Sequence, residues 1–306
     1  MIEESCYFID IDNYKFIDKN TDKCIDNIID RFSYFKHGSI KDIKYFSNIF
    51  VNNFIKKIKK QGELHDFFKR ATFLKEYIVL MSPGYRNTKA AINLLLDFSI
   101  PKINTFLYYY KLTPIIQVYL PRLADKNKNY ASLNIIERKN TSVKTDHILM
   151  GKNFYDMADK KINVIYIDDI SVTGLSSQRT LSHAMANGAN SSAAFYMLFV
   201  DKKLALKNPS IEAEINKKQV SCLLDKSAEI IFNQRGYIPI LRSIDILLKS
   251  TNKDSLLNFL EKVNINNIYK SYISYINNTI GQDDDYTDSL EKVRTFLNLH
   301  LKKSYL

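Results

Sequence analysis

From residue 76 to residue 200 the chain alternates between short apolar runs of strand length and stretches with helical periodicity. The runs are residues 76–81, 103–110, 114–119, 162–167 and 193–200, and Ile, Val, Tyr and Phe recur in them. Such residues fit a pleated, buried surface. Residues 90–97 and 179–187 carry helical patterns between them. Strand and helix in alternation predict an α/β fold, a parallel sheet with helical crossovers. Ahead of this core, residues 6–11 read as a strand and residues 21–70 as mostly helical. There Ile43, Phe46, Phe50 and Phe54 fall at spacings of three and four and make one apolar helix face. After residue 200 the pattern turns helical, over residues 209–218 and much of 241–302, with few Gly or Pro. The organisation expected is an N-terminal mostly helical segment (1–70), a core (71–200) and a C-terminal helical extension (201–306). A polar insertion, residues 123–141, interrupts the core, and insertions of that length are usually functional or disordered.

The densest chemistry lies in residues 160–180, KKINVIYIDDISVTGLSSQRT. An apolar strand ends on two carboxylates, Asp168 and Asp169. A hydroxyl-rich turn follows, Val172, Thr173, Gly174, Leu175 and Ser176, and leads into a helix. In α/β sheets ligands bind outside the carboxyl ends of strands. A Gly/Thr/Ser turn before a helix offers backbone N–H groups, hydroxyls and the positive end of the helix dipole, which together hold a phosphate. Carboxylates beside that cradle can accept hydrogen bonds from a sugar diol. The stretch therefore reads as a site for a phosphorylated sugar. It is not a Walker loop, because Gly-Lys-Ser/Thr is missing, and there is no GxGxxG. A second strand–turn–helix, with Ser82, Gly84, Tyr85, Arg86 and Lys89 in its turn, has anion-binding chemistry. Gly84 lets backbone approach a phosphate, and Arg86 and Lys89 supply positive charge. The insertion and its approach add Arg122, Arg138 and Lys139.

Composition changes this picture little. Over 306 residues the formal net charge is +11, with the lysines spread along the chain. That suits an anionic small substrate, and a nucleic-acid partner stands second to it. No apolar run reaches 18 residues, so no membrane span is expected. The acidic N-terminus does not read as a signal peptide. Three scattered cysteines, Cys6, Cys24 and Cys222, form neither a disulfide framework nor a metal knuckle. A cytoplasmic location is the expectation. The acidic triplet Asp283, Asp284 and Asp285 reads as a loop or helix start.

The segment IYIDDISVTGLSS resembles the signature of type I phosphoribosyltransferases, which bind 5-phosphoribosyl 1-diphosphate (PRPP). Residues 35–39, and Leu133 with Glu137 to Asn140, resemble segments of ComF-like members. The resemblance implies a phosphoribosyltransferase-like sheet with an N-terminal hood-like segment near the base. It implies that Asp168 and Asp169 bind the ribose hydroxyls and that Val172 to Ser176 wrap the 5′-phosphate. Ser82 to Lys89 would be the pyrophosphate loop, and Arg122, Arg138 and Lys139 part of a flap closing over PRPP. Mg²⁺ would arrive with PRPP rather than in a protein cage. The implied activity is phosphoribosyl transfer to a base or other nitrogen acceptor with release of diphosphate, and a homodimer is compatible with it. Val172 stands where purine-salvage members carry an Asp that serves as the base, so 6-oxopurine salvage is disfavoured and the acceptor stays open. The alternatives are a non-catalytic PRPP or nucleotide sensor and a nucleic-acid-associated protein.

Overall fold

The computed structural model describes residues 2–9, 16–18, 28–122, 148–249, 253–278 and 286–300. They fall into two compact units, whose boundaries follow contacts rather than chain order. One unit takes residues from 1–28, 44–85 and 92–213, the other from 29–43, 86–91 and 214–306.

The first unit is α/β. Its strands are β1 (Ile2–Ile9), β2 (Phe16–Asp18), β3 (Tyr77–Met81), β4 (Ile115–Val118), β5 (Ile162–Ser171) and β6 (Ser191–Val200). They form one sheet in the order β2-β1-β6-β5-β3-β4. Every pairing is parallel except β1 with β2. So five strands make a parallel sheet and β2 adds an antiparallel edge. β5 is buried along nearly its whole length, as a central parallel strand covered on both faces must be. On one face Phe195 packs its ring 5.3 Å from Phe50 and 5.0 Å from Phe54, both on α2 (Ile40–Lys59). Phe54 in turn meets Phe68 of α3 (Glu63–Phe73). On the other face Val164, Tyr166, Ala194 and Tyr196 form a core with Leu181 and Ala184.

Residues 103–110, expected as a strand, are instead the end of a helix, α4 (Ala91–Tyr109). Ile92, Leu95, Leu96, Ile100, Ile103 and Leu107 are all buried at helical spacings, and Pro101 is accommodated within the helix. The expected strands at 76–81, 114–119, 162–167 and 193–200 all exist, with β5 extended by four residues to Ser171.

A buried polar network ties the amino ends of β3, β5 and β6. The Glu76 carboxylate accepts from the Asn163 amide at 2.9 Å and from the Asn190 amide at 2.9 and 3.1 Å. Ser191 Oγ donates to Asn163 Oδ1 at 2.5 Å. Glu76 and Asn163 are both nearly inaccessible, and a buried polar group stripped of its partner costs ~1–3 kcal/mol. Asn163→Leu, which keeps the volume and removes the donors, is expected to destabilise the protein by about 2 kcal/mol. A shift in the urea midpoint would read this, and an unchanged midpoint would show that Glu76 does not depend on the amide.

The second unit is helical. Its elements include α1 (Ile28–Lys36, from residue 29) and, after α5 (Lys152–Asp156), α6 (Leu175–Ala186), α7 (Lys202–Lys207) and α8 (Ile211–Lys217), the helices α9 (Lys226–Phe232), α10 (Leu241–Leu248), α11 (Lys253–Lys262), α12 (Ile265–Asn278) and α13 (Thr287–His300). Phe232, Tyr237, Phe259, Leu260, Val293 and Leu297 are among its buried core. Among the described residues no helix is long and apolar enough to cross a membrane.

Candidate functional site

β3 and β5 are neighbours, and the chain leaves them in opposite directions. After β3 it passes through α4 to β4, on one side; after β5 it passes through α6 to β6, on the other. That makes the β3/β5 pair the topological switch of the sheet, where a crevice opens at the carboxyl ends of the strands. The register Met81↔Tyr166 brings the residues that follow both strands to the same edge. Ser82 and the Asp168 stretch, both singled out in the sequence for sugar-phosphate chemistry, follow these neighbouring strands at that edge.

Because β5 runs on to Ser171, Asp168 and Asp169 lie within the strand rather than beyond it. Successive strand residues point to opposite faces. Asp168 is half-buried, while Asp169 is only 5% exposed. Asp168 shares its face with Tyr166, two residues before it, and with Tyr196, its partner across the β5/β6 ladder. Tyr166 donates its hydroxyl to Asp168 Oδ2 at 3.2 Å, and the Asp169 N–H donates to Asp168 Oδ1 at 2.8 Å. The Tyr196 hydroxyl stands 3.2 Å from Glu3 Oε1 and 2.5 Å from Ser177 Oγ, while Ser177 Oγ is 2.9 Å from the Gly174 carbonyl. Two hydroxyl protons thus serve three contacts. Burial, reinforced by the Asp168 charge, pushes the Tyr166 hydroxyl well above its ordinary pKa. Burial raises Tyr196 as well, against the opposing pull of Ser177. Both phenols are therefore neutral donors at physiological pH. Sequence reading missed Glu3, Tyr166, Tyr196 and Ser177. Tyr166 was findable, since position i−2 of a strand shares a face with Asp168. Tyr196 and Glu3 reach the site only through strand pairing.

Gly174, at φ +69, is the N-cap of α6 and has no side chain to cap it, while Thr173 Oγ1 stands 3.5 Å from the Leu175 N–H. A helix start directs its remaining backbone N–H groups and the positive dipole end outward. Val172 is buried, Thr173, Gly174 and Leu175 are half-buried, and Ser176 is exposed. A Cβ on Gly174 would come only to 4.0 Å from Glu3 Oε1 and Ser171 Oγ, so space is not what requires glycine. The left-handed backbone is. Gly174→Ala is expected to cost about 1 kcal/mol, read as a lower urea midpoint; equal stability would mean the turn relaxes without strain.

The turn after β3 is held by Asn93, whose amide donates to Ser82 Oγ at 3.3 Å and to the Pro83 carbonyl at 3.1 Å. Gly84 is buried. Tyr85 bridges to Pro121, and its carbonyl accepts from the Arg122 N–H at 3.2 Å. So Ser82, Gly84, Tyr85 and Arg122 share the first unit with Asp168, Asp169 and residues 172–176.

Arg86 and Lys89 belong to the second unit. Arg86 donates to the Asn278 carbonyl at 3.0 Å, and Asn87 donates to the Asn277 carbonyl. Thr88 donates through N–H to Asn278 Oδ1 at 3.2 Å and through Oγ1 to the Ser274 carbonyl at 3.1 Å. This segment is pinned to the last turn of α12, where a cation suits the negative end of the helix dipole. Arg138 and Lys139 lie outside the described residues, as do Leu133, Glu137 and the acidic triplet.

The segment around Lys36 and His37 also lies in the second unit. It is a helix stop followed by a helix start. Gly38, at φ +89, ends α1, and a Cβ there would meet Ile240 Cγ1 at 3.1 Å. Ser39 Oγ donates to Asp42 Oδ2 at 2.6 Å, and Arg31 closes on the same carboxylate at 2.8 Å. Lys36 and His37 are both buried.

Among the described residues no group of three His, Cys, Asp or Glu side chains could hold a metal ion. The chain matches no protein-family model and no curated protein.

Proposed function

We propose that the first unit binds PRPP and transfers its phosphoribosyl group to a nitrogen acceptor, with release of diphosphate. The observation that carries this reading is the topological switch at β3/β5, where the Asp168 carboxylate and the glycine-capped start of α6 follow β5 and the Ser82–Tyr85 turn follows its neighbour β3. The 5′-phosphate sits on the backbone N–H groups of residues 174–177, with the Thr173 hydroxyl beside them. Asp168, held by Tyr166 and by the Asp169 N–H, accepts from a ribose hydroxyl. Asp169, on the opposite face, is buried and less open to a ligand. A Mg²⁺ carried in with the diphosphate fits this donor set, since Mg²⁺ takes one or two carboxylates plus substrate oxygens and Asp168 offers a partly exposed one; it would neutralise charge on the leaving group.

In the transfer, the C1–O bond to diphosphate breaks and its electron pair leaves with the diphosphate. The acceptor nitrogen forms the new bond to C1 and gives up a proton. The protein's contribution is position and fixed dipoles rather than covalent chemistry. Val172 is apolar and buried, so it takes no proton. The acceptor is accordingly one that needs no carboxylate base at that position.

Calorimetric titration with PRPP, with and without Mg²⁺, tests the reading, followed by a screen of bases and nucleosides for diphosphate release. Saturable heat that grows with Mg²⁺ is expected. Silence towards both PRPP and ribose 5-phosphate would remove the proposal.

A further inference from the structure

On the first unit, the carboxyl ends of α3 and α4 meet at a surface that is aromatic and basic together. Thr113, just past α4, donates its N–H to Thr72 Oγ1 at the end of α3, at 2.8 Å. Phe73, next to Thr72, is 84% exposed, and Tyr108, Tyr109 and Tyr110 are 79%, 76% and 54% exposed. Large apolar rings displayed in a group on a soluble surface mark a binding site more often than a loose end. Lys59, from the end of α2, holds its ammonium 5.2 Å from the Tyr110 ring and 5.4 Å from that of Phe106. Phe106 and Tyr110 lie 4.4 Å apart. The surface thus carries two ring pairs, Phe106 with Tyr110 under the Lys59 ammonium and Tyr108 with Tyr109 at 6.0 Å, and Phe73 at the adjoining helix end.

The charge around these rings is predominantly positive. Residues 55–75 hold seven basic and two acidic side chains, and residues 98–122 hold no acidic one. Lys75 and Lys111 are also the only non-glycine residues with positive φ among the described residues, at 56° and 54°. Each sits just past a helix end, α3 and α4 respectively, where glycine is the usual occupant. Lysine is kept there at a backbone cost of about 1 kcal/mol.

We propose that this face binds single-stranded nucleic acid. Exposed rings offer platforms on which unpaired bases stack, and flanking lysines track the phosphates. A duplex has its bases already stacked, so it gains from the lysines alone. A protein partner fits less well, because interface cores are depleted in lysine. The proposal is independent of the PRPP reading.

The test is fluorescence anisotropy of the full chain with labelled twelve-residue oligothymidine and oligouridine at about 50 mM salt, with a duplex and heparin as competitors. Binding is expected to both oligomers, with heparin and duplex competing weakly per charge. The triple variant Phe73→Ser, Tyr108→Ser, Tyr109→Ser alters only exposed side chains. It should bind at least tenfold more weakly, with the same salt dependence and an unchanged melting temperature. Lys59→Gln, Lys75→Gln and Lys111→Gln together should instead lower the slope of log affinity against log salt by about 2. Stronger binding of the uridine oligomer would add a contact to the 2′-hydroxyl and would support the proposal equally. No anisotropy change with either oligomer would overturn it. So would affinity that the aromatic variant leaves intact, or association with phosphatidylglycerol vesicles in place of the oligomers.

Discussion

Asp168→Asn is expected to weaken PRPP binding by ten- to a hundredfold while leaving the melting temperature nearly unchanged. The carboxylate accepts from the Asp169 N–H and from the Tyr166 hydroxyl. Asparagine has the same shape and keeps one acceptor oxygen. Its amide nitrogen replaces the other, and the Tyr166 hydroxyl can turn to accept from it. The fold therefore loses little. A ribose hydroxyl loses a charged acceptor, worth about 1.5–3 kcal/mol, and any Mg²⁺ loses its carboxylate. Asp169 is a poorer probe, because at 5% exposure its replacement mixes binding with stability. Thr173→Val should reduce affinity in the same titration by removing a hydroxyl from the phosphate cradle. Parent-like binding by Asp168→Asn would place the ribose elsewhere.

Acidification from pH 7 to pH 4 is expected to cost the protein about 3 kcal/mol through His37 alone. Burial, the largest cause, lowers the imidazole from 6.5 to about 4. The charges of Arg242 and Lys36 push the same way, and the Ser33 carbonyl and Asp225 oppose them. His37 Nδ1 lies 2.8 Å from the Ser33 carbonyl, so that nitrogen carries the proton of the neutral ring. Between pH 6.5 and 4 the unfolded chain takes up a proton that the native ring refuses. The stability that a neutral His37 contributes is whole above pH 6.5 and lost as the pH falls through 4. Urea unfolding followed by far-ultraviolet circular dichroism measures it, the chain having 20 tyrosines and no tryptophan. His37→Asn should flatten the dependence in this window. An equal slope in that variant would assign the acid sensitivity to other groups.

The alternation of runs was enough to read the α/β class, because a parallel sheet buries its strands on both faces and β3, β5 and β6 are buried over most of their length. It failed at residues 103–110 for a physical reason. α4 is apolar over most of its surface, so periodicity alone does not separate it from a buried strand. Pro101 reads as a helix break, and the run of tyrosines that closes α4 adds a β-like signal. At the site, the order of strand, carboxylates and glycine turn was legible, since local backbone chemistry dictates it. The split of Asp168 and Asp169 onto opposite faces was not. It follows from β6 continuing to pair with β5 past Ile167, as in Asp168↔Tyr196 and Ser171↔Phe199. The company of Arg86 was equally hidden, because its partner is the end of a helix nearly two hundred residues away.

The pairing of β1 with β6 has a consequence for how the chain reaches this fold. Ile2 lies opposite Ala193 and Ile9 opposite Val200, so β1, made before the other strands of this sheet, gains its parallel neighbour only when β6, the last of them, has been made. Loop closure over such a span comes late and slowly, and until then β1 has only the short β2 along one edge, and its other edge is open backbone. During synthesis β1 is therefore the strand of this sheet whose edge stays open to wrong pairing longest.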